Sequence, residues 1–288
     1  MTTIWELDFY SRPILDEHGK KVWEVVLCES PTQIKAEPDR LFRFAEYCAS
    51  TEVNSERLVQ ALQTAIAQAP SPPSRIRFFR QAMKNMITKA CNDLNLPSVL
   101  SRRTYALNQW LQQRFAEEYP KHPGFQAGSN PSVSFAATTA VQSLPDALIG
   151  QKWAFVSLEA GMLEEMDEWA IDFGEAFPLS LVNLSPDAIV PGVIIFSPRA
   201  VPMAGWMSGL ELGSLKLDTE STPRLLLETG GSDRWILASL NNAQVQTEAQ
   251  NFETAKQKAN GVHFLAIQAA PDTETFAGFW LLQETVLT

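Results

Sequence analysis

The chain has 288 residues, 45% hydrophobic and 19% charged, an ordinary globular composition whose length, at about 150 residues per domain, suggests two domains. Those figures exclude a disordered chain, a collagen-like repeat and a small disulfide scaffold. With 23 Lys and Arg against 33 Asp and Glu the formal charge is -10, which taken as a whole opposes binding to a phosphate backbone.

The first expected element is a strand from Ile4 to Ile14, where Trp5, Leu7 and Phe9 alternate with Glu6, Asp8 and Tyr10. Residues Asp16 to Gly19 signal a turn, and Lys21 to Cys28 reads as the second strand of a β-hairpin. Arg40 to Ala49 is expected as a short helix after Pro38 and Asp39. Ser55 is a candidate N-cap for a longer helix carrying Leu58, Leu62, Ala65, Ile66 and Ala69 at helical spacing, stopped by Pro70, Pro72 and Pro73. A strand (Ser74–Phe79), a helix (Gln81–Leu94), a short strand (Pro97–Ser101) and a helix (Thr104–Glu118) follow. This alternation makes residues 1–119 an α/β domain with a mixed sheet, for which an RNase H-like arrangement is one candidate. Residues 120–147, with Pro120, Pro123, Gly124, Gly128 and Pro131, read as a linker.

Residues 148–288 restart with a strand from Trp153 to Leu158. Then come an expected helix over Gly161–Ile171 with Glu164, Glu165, Asp167 and Glu168 on an acidic face, and a short apolar run, Val193–Phe196. A hairpin pairs Arg224–Leu227 with Arg234–Leu240, a helix spans Asn251–Ala259, and strands cover Val262–Gln268 and Phe276–Gln283. This half is expected to be an α+β domain with a largely antiparallel sheet.

The charge is unevenly spread. Residues 71–114 hold Arg75, Arg77, Arg80, Lys84, Lys89, Arg102, Arg103 and Arg114 against Asp93 alone, an asymmetry that points to a polyanion partner. On a strand Arg75, Arg77 and Phe79 share one face. A ring that stacks a base beside guanidinium groups that grip phosphates suits single-stranded RNA. Arg80 closes the strand run, Lys84 and Lys89 extend the patch along the next helix, and Arg102 and Arg103 join it from the following connection. The structural alternative makes Phe79 core and pairs the arginines with carboxylates of the acidic half. A second reading is a divalent-metal nuclease of RNase H-like or restriction-nuclease-like type, with Glu6 and Asp8 on one strand face and Glu24 and Glu29 on or just after the next strand. A third is a protein-interaction adaptor that docks through the acidic half.

Motifs for other chemistry are missing from the sequence. Cys28, Cys48 and Cys91 form no C-x-x-C pair, and His18, His122 and His263 lie far apart, so reduced thiols and no metal or other cofactor are expected. The run Thr229 to Asp233 has neither a P-loop nor a Rossmann frame, and no nucleophile elbow occurs, which argues against an enzyme. No apolar run reaches membrane-spanning length, and the N-terminus carries no leader pattern. A complete chain of this kind is expected to stay, uninserted, in the compartment where it is made.

Four segments carry a resemblance: Trp5 to Pro13 (WELDFYSRP), Trp23-Glu24, Trp153 to Val156 (WAFV) and the closing Gly278 to Leu282 (GFWLL). Together they resemble the Tab/ATAB family of A/U-rich RNA-binding proteins of chloroplasts and cyanobacteria, across both halves of the chain. The resemblance implies a non-enzymatic translation factor for photosystem subunits, photosystem I among them. Its partners would be the 5′ untranslated regions of photosystem messages and the translation machinery. The family's Trp-Leu-Leu tripeptide, linked to RNA binding, maps onto Trp280, Leu281 and Leu282. A cytoplasmic, cyanobacterial-type member is expected, with the chloroplast stroma as the location of plastid relatives.

Overall fold

The computed structural model describes residues 3–128, 140–150, 152–220 and 222–284. Strand β1 (Ile4–Leu15) turns at Asp16, whose carboxylate accepts from the amides of His18 (2.9 Å) and Lys20 (2.8 Å), and β2 (Lys21–Glu29) returns antiparallel. Gly19 takes φ +73°, a left-handed conformation that a side chain would disfavour. Strand β3 (Arg43–Cys48) adds antiparallel to β2. The helix expected over Arg40–Ala49 is thus a 3-10 turn, Pro38–Arg40, and a strand. Phe44 and Cys48 point into the core while Ala45 and Tyr47 stay exposed, and a period of two is what an extended chain beside β2 requires.

Helix α1 (Ser55–Gln68) is capped by Asn54 rather than Ser55, the Asn54 side chain accepting from the Arg57 amide at 2.8 Å. It buries Leu58, Ala61, Leu62 and Ala65, one stripe at helical spacing. Strand β4 (Arg75–Phe78), α2 (Lys84–Asp93), β5 (Ser98–Leu100) and α3 (Tyr105–Glu117) complete a sheet of order β3-β2-β1-β4-β5, in which β4 runs parallel to both β1 and β5. One face of this sheet sends Trp5, Leu7, Phe9, Val25, Leu27, Ile76 and Phe78 into a core with α1 and α2. Each large apolar side chain buried there stabilises by about 1.5–3 kcal/mol. The other face sends Val26, Cys28 and Phe79 against Ala106, Leu107 and Leu111 of α3.

The start of the expected linker is paired structure. Leu15 donates to the Gly124 carbonyl and Gln126 to the Pro13 carbonyl, both at 2.8 Å, and a Cβ at Gly124 would collide with the Leu15 carbonyl. Residues 129–139 of that stretch lie outside the described residues.

Two compact units divide the described residues: the elements from β1 to α3 form one, and Thr32–Ala36 joins every later element in the other. The second unit contains β6 (Gln142–Ser143), β7 (Lys152–Glu159), α4 (Ala160–Leu163), β8 (Ile171–Glu175), β9 (Ile189–Phe196) and α5 (Ala200–Ser208). It continues with β10 (Leu212–Asp218), β11 (Arg224–Thr229), β12 (Asp233–Ser239), α6 (Ala243–Lys258), β13 (Val262–Gln268) and β14 (Phe276–Gln283). Its sheets have the orders β10-β11-β12-β6 and β7-β9-β13-β14-β8. In the second of these, β9–β13 and β14–β8 are parallel, so it is mixed rather than largely antiparallel.

The helix expected over Gly161–Ile171 shrinks to the single turn α4 and a 3-10 turn, Met166–Glu168, before β8 begins. Helix α5 is a surprise: apolar almost all round, and punctuated by Pro202 and Gly205, it still buries Ala200, Met203, Ala204 and Met207 at helical spacing. Helix α6 begins at Ala243 rather than Asn251; its first turns are polar, so no apolar stripe marks them in the sequence. Asn242 nevertheless caps it, accepting from the Val245 amide at 2.9 Å. Between the sheets, Val193, Ile195, Leu265, Ile267, Trp280 and Leu282 share a core with Met203, Met207, Leu215, Leu225, Leu227 and Phe252.

Candidate functional site

The alternation of β1 that sends Trp5, Leu7 and Phe9 one way sends Glu6, Asp8 and Arg12 the other, onto the face covered by α3. Glu6 accepts from the Ser30 hydroxyl at 2.6 Å and from the Leu107 amide at 2.7 Å. A carboxylate in the first turn of α3 both satisfies an unpaired amide and complements the helix dipole. Asp8 accepts from Arg12 Nη1 (2.9 Å) and from Arg80 Nε (2.6 Å) and Nη2 (3.3 Å). Glu24 of β2 accepts from Arg12 Nε at 2.7 Å, from the Tyr119 hydroxyl at 2.8 Å and from Arg114. The Arg80 guanidinium also lies 4.1 Å from the Tyr10 ring centre and 4.8 Å from that of Phe79.

Burial works to raise the Asp8 pKa, but the Arg80 and Arg12 guanidinium groups overcome it and hold the carboxyl below its usual 3.8. Burial, with Glu24 beside it, pushes the Tyr119 phenol up and keeps it a donor.

This cluster revises two expectations. The counter-charges of Arg80 and Arg114 come from Asp8 and Glu24 of the N-terminal hairpin, not from the acidic half. The nuclease set does not assemble either. Asp8 and Glu24 are already neutralised by guanidinium groups, Glu6 is taken up by Ser30 and α3, and Glu29 has the opposite strand parity to Glu24. Among the described residues no group of three or more His, Cys, Asp or Glu side chains could hold a metal ion.

The residues expected to contact RNA separate by depth. Arg77, Phe79, Arg80 and Arg103 are each no more than 4% exposed. Phe79, expected to stack a base, packs instead with Val26, Cys28, Ala106 and Leu107. Arg75 and Arg102 are half-buried, Lys84 is exposed, and Lys89 is exposed but paired with Asp93 at 2.9 Å.

Trp280, Leu281 and Leu282 are all buried on β14, which lies between β13 and β8. A Cβ at Gly278 would collide with the Trp280 ring and come within 3.0 Å of Ala204 Cβ, so glycine lets the indole lie against α5. On the other face of β14, Phe279 stacks on Phe264 at 5.1 Å and meets Trp169 edge-on at 5.4 Å. The strand expected to complete an RNA surface therefore sits inside the second unit.

Sequence reasoning missed Arg12 and Tyr119 altogether and gave Arg114 no role beyond its charge. Arg12 could have been found, because it shares the strand parity of Asp8. Nothing local ties Arg114 or Tyr119 to Glu24. The three cysteines are free and buried. In the second unit His263 Nε2 accepts from the Leu215 amide and Nδ1 meets the Gly261 carbonyl, both at 2.8 Å. Burial and the nearby Lys256 push its pKa down to about 3. No helix among the described residues is long and apolar enough to cross a membrane.

Comparison with known proteins bears on both halves. Residues 4–114 match the family profile described as RNA-binding protein Tab2/Atab2 N terminal, and residues 130–283 match that of RNA-binding protein Tab2/Atab2, C-terminal domain. The chain is 40% identical over 285 residues to the protein TAB2 homolog, chloroplastic, of Zea mays, covering 96% of this chain and 70% of that one. It is 40% identical over 286 residues to the Arabidopsis thaliana protein of the same name, covering 96% and 74%. Among solved structures, the HTLV-2 integrase catalytic core domain in complex with magnesium aligns over 42% of this chain and 75% of that one, at 15% identity and a TM-score of 0.26, too slight a likeness to carry an argument.

Proposed function

The chain belongs to the Tab2/Atab2 family of RNA-binding proteins, and from that premise we propose that it binds A/U-rich single strands in the 5′ untranslated regions of photosystem messages and promotes their translation. The observation that carries this reading is the match of both halves to one RNA-binding family. The protein is non-catalytic, holds RNA rather than cutting it, and hands it to the translation machinery. Its place of work is where photosystem messages are translated: the stroma, as the names of the two chloroplastic relatives suggest, or the cytoplasm of a cyanobacterium.

Arg75, Lys84, Lys89 and Arg102 are the phosphate contacts of this proposal, because they are the members of the basic block that reach solvent once Arg114 is set aside as taken up by Glu24. Arg77, Arg80 and Arg103 are buried and make no contact with RNA in this proposal. Trp280, Leu281 and Leu282 serve RNA binding only by keeping the second unit folded, and do not touch RNA. An RNase H-like reading of the first unit is supported by its order, three antiparallel strands followed by two parallel ones. A two-domain division near 1–119 and 148–288 is supported by profiles that end at 114 and resume at 130, with residues 120–126 joining the first unit and β6 the second, so that the linker is shorter than 120–147.

Fluorescence anisotropy with labelled A/U-rich and G/C-rich single strands tests the reading across a salt series. Tight A/U-selective binding that weakens steeply with salt is expected, and Lys84→Ala with Arg102→Ala should reduce the salt slope by about 1.4. Absence of RNA binding overturns the function, and an unchanged slope overturns the contacts.

A further inference from the structure

The rings expected to stack bases are buried, yet the first unit keeps aromatic surface elsewhere. Strand β3 lies at the edge of its sheet. Its alternation puts Arg43, Ala45 and Tyr47 on the face that α3 covers further in, opposite Cys28, Val26 and Glu24 of β2. Ala45 is exposed and Tyr47 is 40% exposed. On α3, Trp110 and Arg114 are four residues apart and so share one side of the helix.

The Arg43 guanidinium lies 5.5 Å from the Trp110 ring centre, and that of Arg114 lies 5.4 Å from the same ring. Arg114 Nη2 is 3.4 Å from the Tyr47 hydroxyl, and the Tyr47 ring meets His122 edge-on at 6.2 Å. Ala45, small and exposed between Arg43 and Tyr47 on the same strand face, leaves a shallow trough bordered by these side chains. At a strand rise of about 3.3 Å per residue, Arg43 and Tyr47 stand about 13 Å apart.

Charge completes the arrangement. Arg114 is neutralised by Glu24, and the nearby Glu46 is engaged by Arg57 at 2.6 Å. Arg43 donates to the Pro38 carbonyl at 3.4 Å and has no carboxylate partner among the described residues. An uncompensated guanidinium therefore sits at one end of a pair of rings already held in place by arginines. Pre-ordered rings lose little entropy when a flat ligand stacks on them.

We propose that this trough between β3 and α3 binds a short stretch of single-stranded RNA, with bases on Tyr47 and Trp110 and a phosphate on Arg43. The inference rests on the RNA-binding reading and adds a contact surface separate from Arg75, Lys84, Lys89 and Arg102. Stacking here contributes affinity with little base selectivity, because every base presents a π-face.

The test measures binding of labelled oligo(U) and oligo(A) to the full chain and to Arg43→Ala, Tyr47→Ala and Tyr47→Phe. Tyr47→Ala should lose at least about fivefold in affinity for both probes while Tyr47→Phe keeps most of it. Arg43→Ala should lower the salt slope by about 0.7. Ultraviolet cross-linking of oligo(U) to the unsubstituted chain needs no variant: adducts on Tyr47 or Trp110 support the trough. A wild-type chain that binds RNA, with Tyr47→Ala unchanged or adducts confined to other segments, overturns the trough and leaves the RNA-binding reading standing. A wild-type chain that binds neither these probes nor the A/U-rich strands overturns both.

Discussion

Beneath α3, Asp8, Arg12, Glu24, Arg80 and Arg114 meet in a buried ionic cluster, whereas in the second unit Trp280 and Leu282 join Met203, Ala204 and Met207 of α5 in an apolar one. Both regions are interior and both depend on arginine or aromatic residues that could have served a surface. They differ in what a missing partner leaves behind. A deleted ring leaves a cavity that neighbours can partly close, at a cost set by how far they move. A deleted carboxylate leaves guanidinium groups away from water without counter-charge. The ionic interior is thus the less forgiving of the two, although replacing it entirely by well-packed apolar residues need not weaken the fold.

The largest effect should come from Glu24→Ala, which removes the acceptor of Arg12, Arg114 and Tyr119 together. A loss of about 3–5 kcal/mol is expected from the urea midpoint, and a loss below about 1 kcal/mol would break the contrast, because an exposed pair contributes no more than that. Trp280→Ala comes next, at about 3–4 kcal/mol. Its RNA affinity, measured at a temperature where the variant is folded, should match the wild type. A weaker affinity in the folded variant would instead make the indole a contact.

The effect smallest per unit of the variable, though it accumulates, is a difference in acid response. His263 is neutral in the fold, with its pKa driven from 6.5 to about 3. Unfolding restores the ordinary value, so between those limits the unfolded chain binds one more proton. The second unit should then lose about 1.4 kcal/mol per pH unit as pH falls from 6.5 toward 3. The folded pKa of Asp8 lies below its usual 3.8. Its stabilisation is present above that value and is lost only as pH falls through the folded value. Hydrogen exchange resolved by region between pH 6.5 and 4 should therefore show the second unit loosening first, and His263→Gln should remove the slope. A first unit that loosens earlier would contradict this order.

Much of the first unit was legible where one period dominates. The β1–β2 hairpin follows from alternation around Asp16 and Gly19, and α1 follows from Leu58, Leu62 and Ala65 with prolines behind them. Legibility failed where period and propensity conflict. Around Arg43 to Cys48 the apolar spacing is too short to separate a turn of helix from a strand, and only pairing with β2 decides. Helix α5 hid behind apolar residues on every side and a proline. The candidate site was half legible: strand parity places Arg77 and Phe79 together. Parity could not tell that α3 would cover that face.

By itself, the sequence determined the kinds of element where periodicity and turn chemistry agree, the basic block, and, through four short segments, membership of an RNA-binding family. Only the tertiary structure decided which of those charges face water. Burial belongs to two elements at once, so the depth of Arg80 depends on where α3 lies, and its counter-charge, Asp8, stands 72 positions earlier in the chain. The same physics places Trp280 inside, because a strand between β13 and β8 and against α5 has no open face to offer.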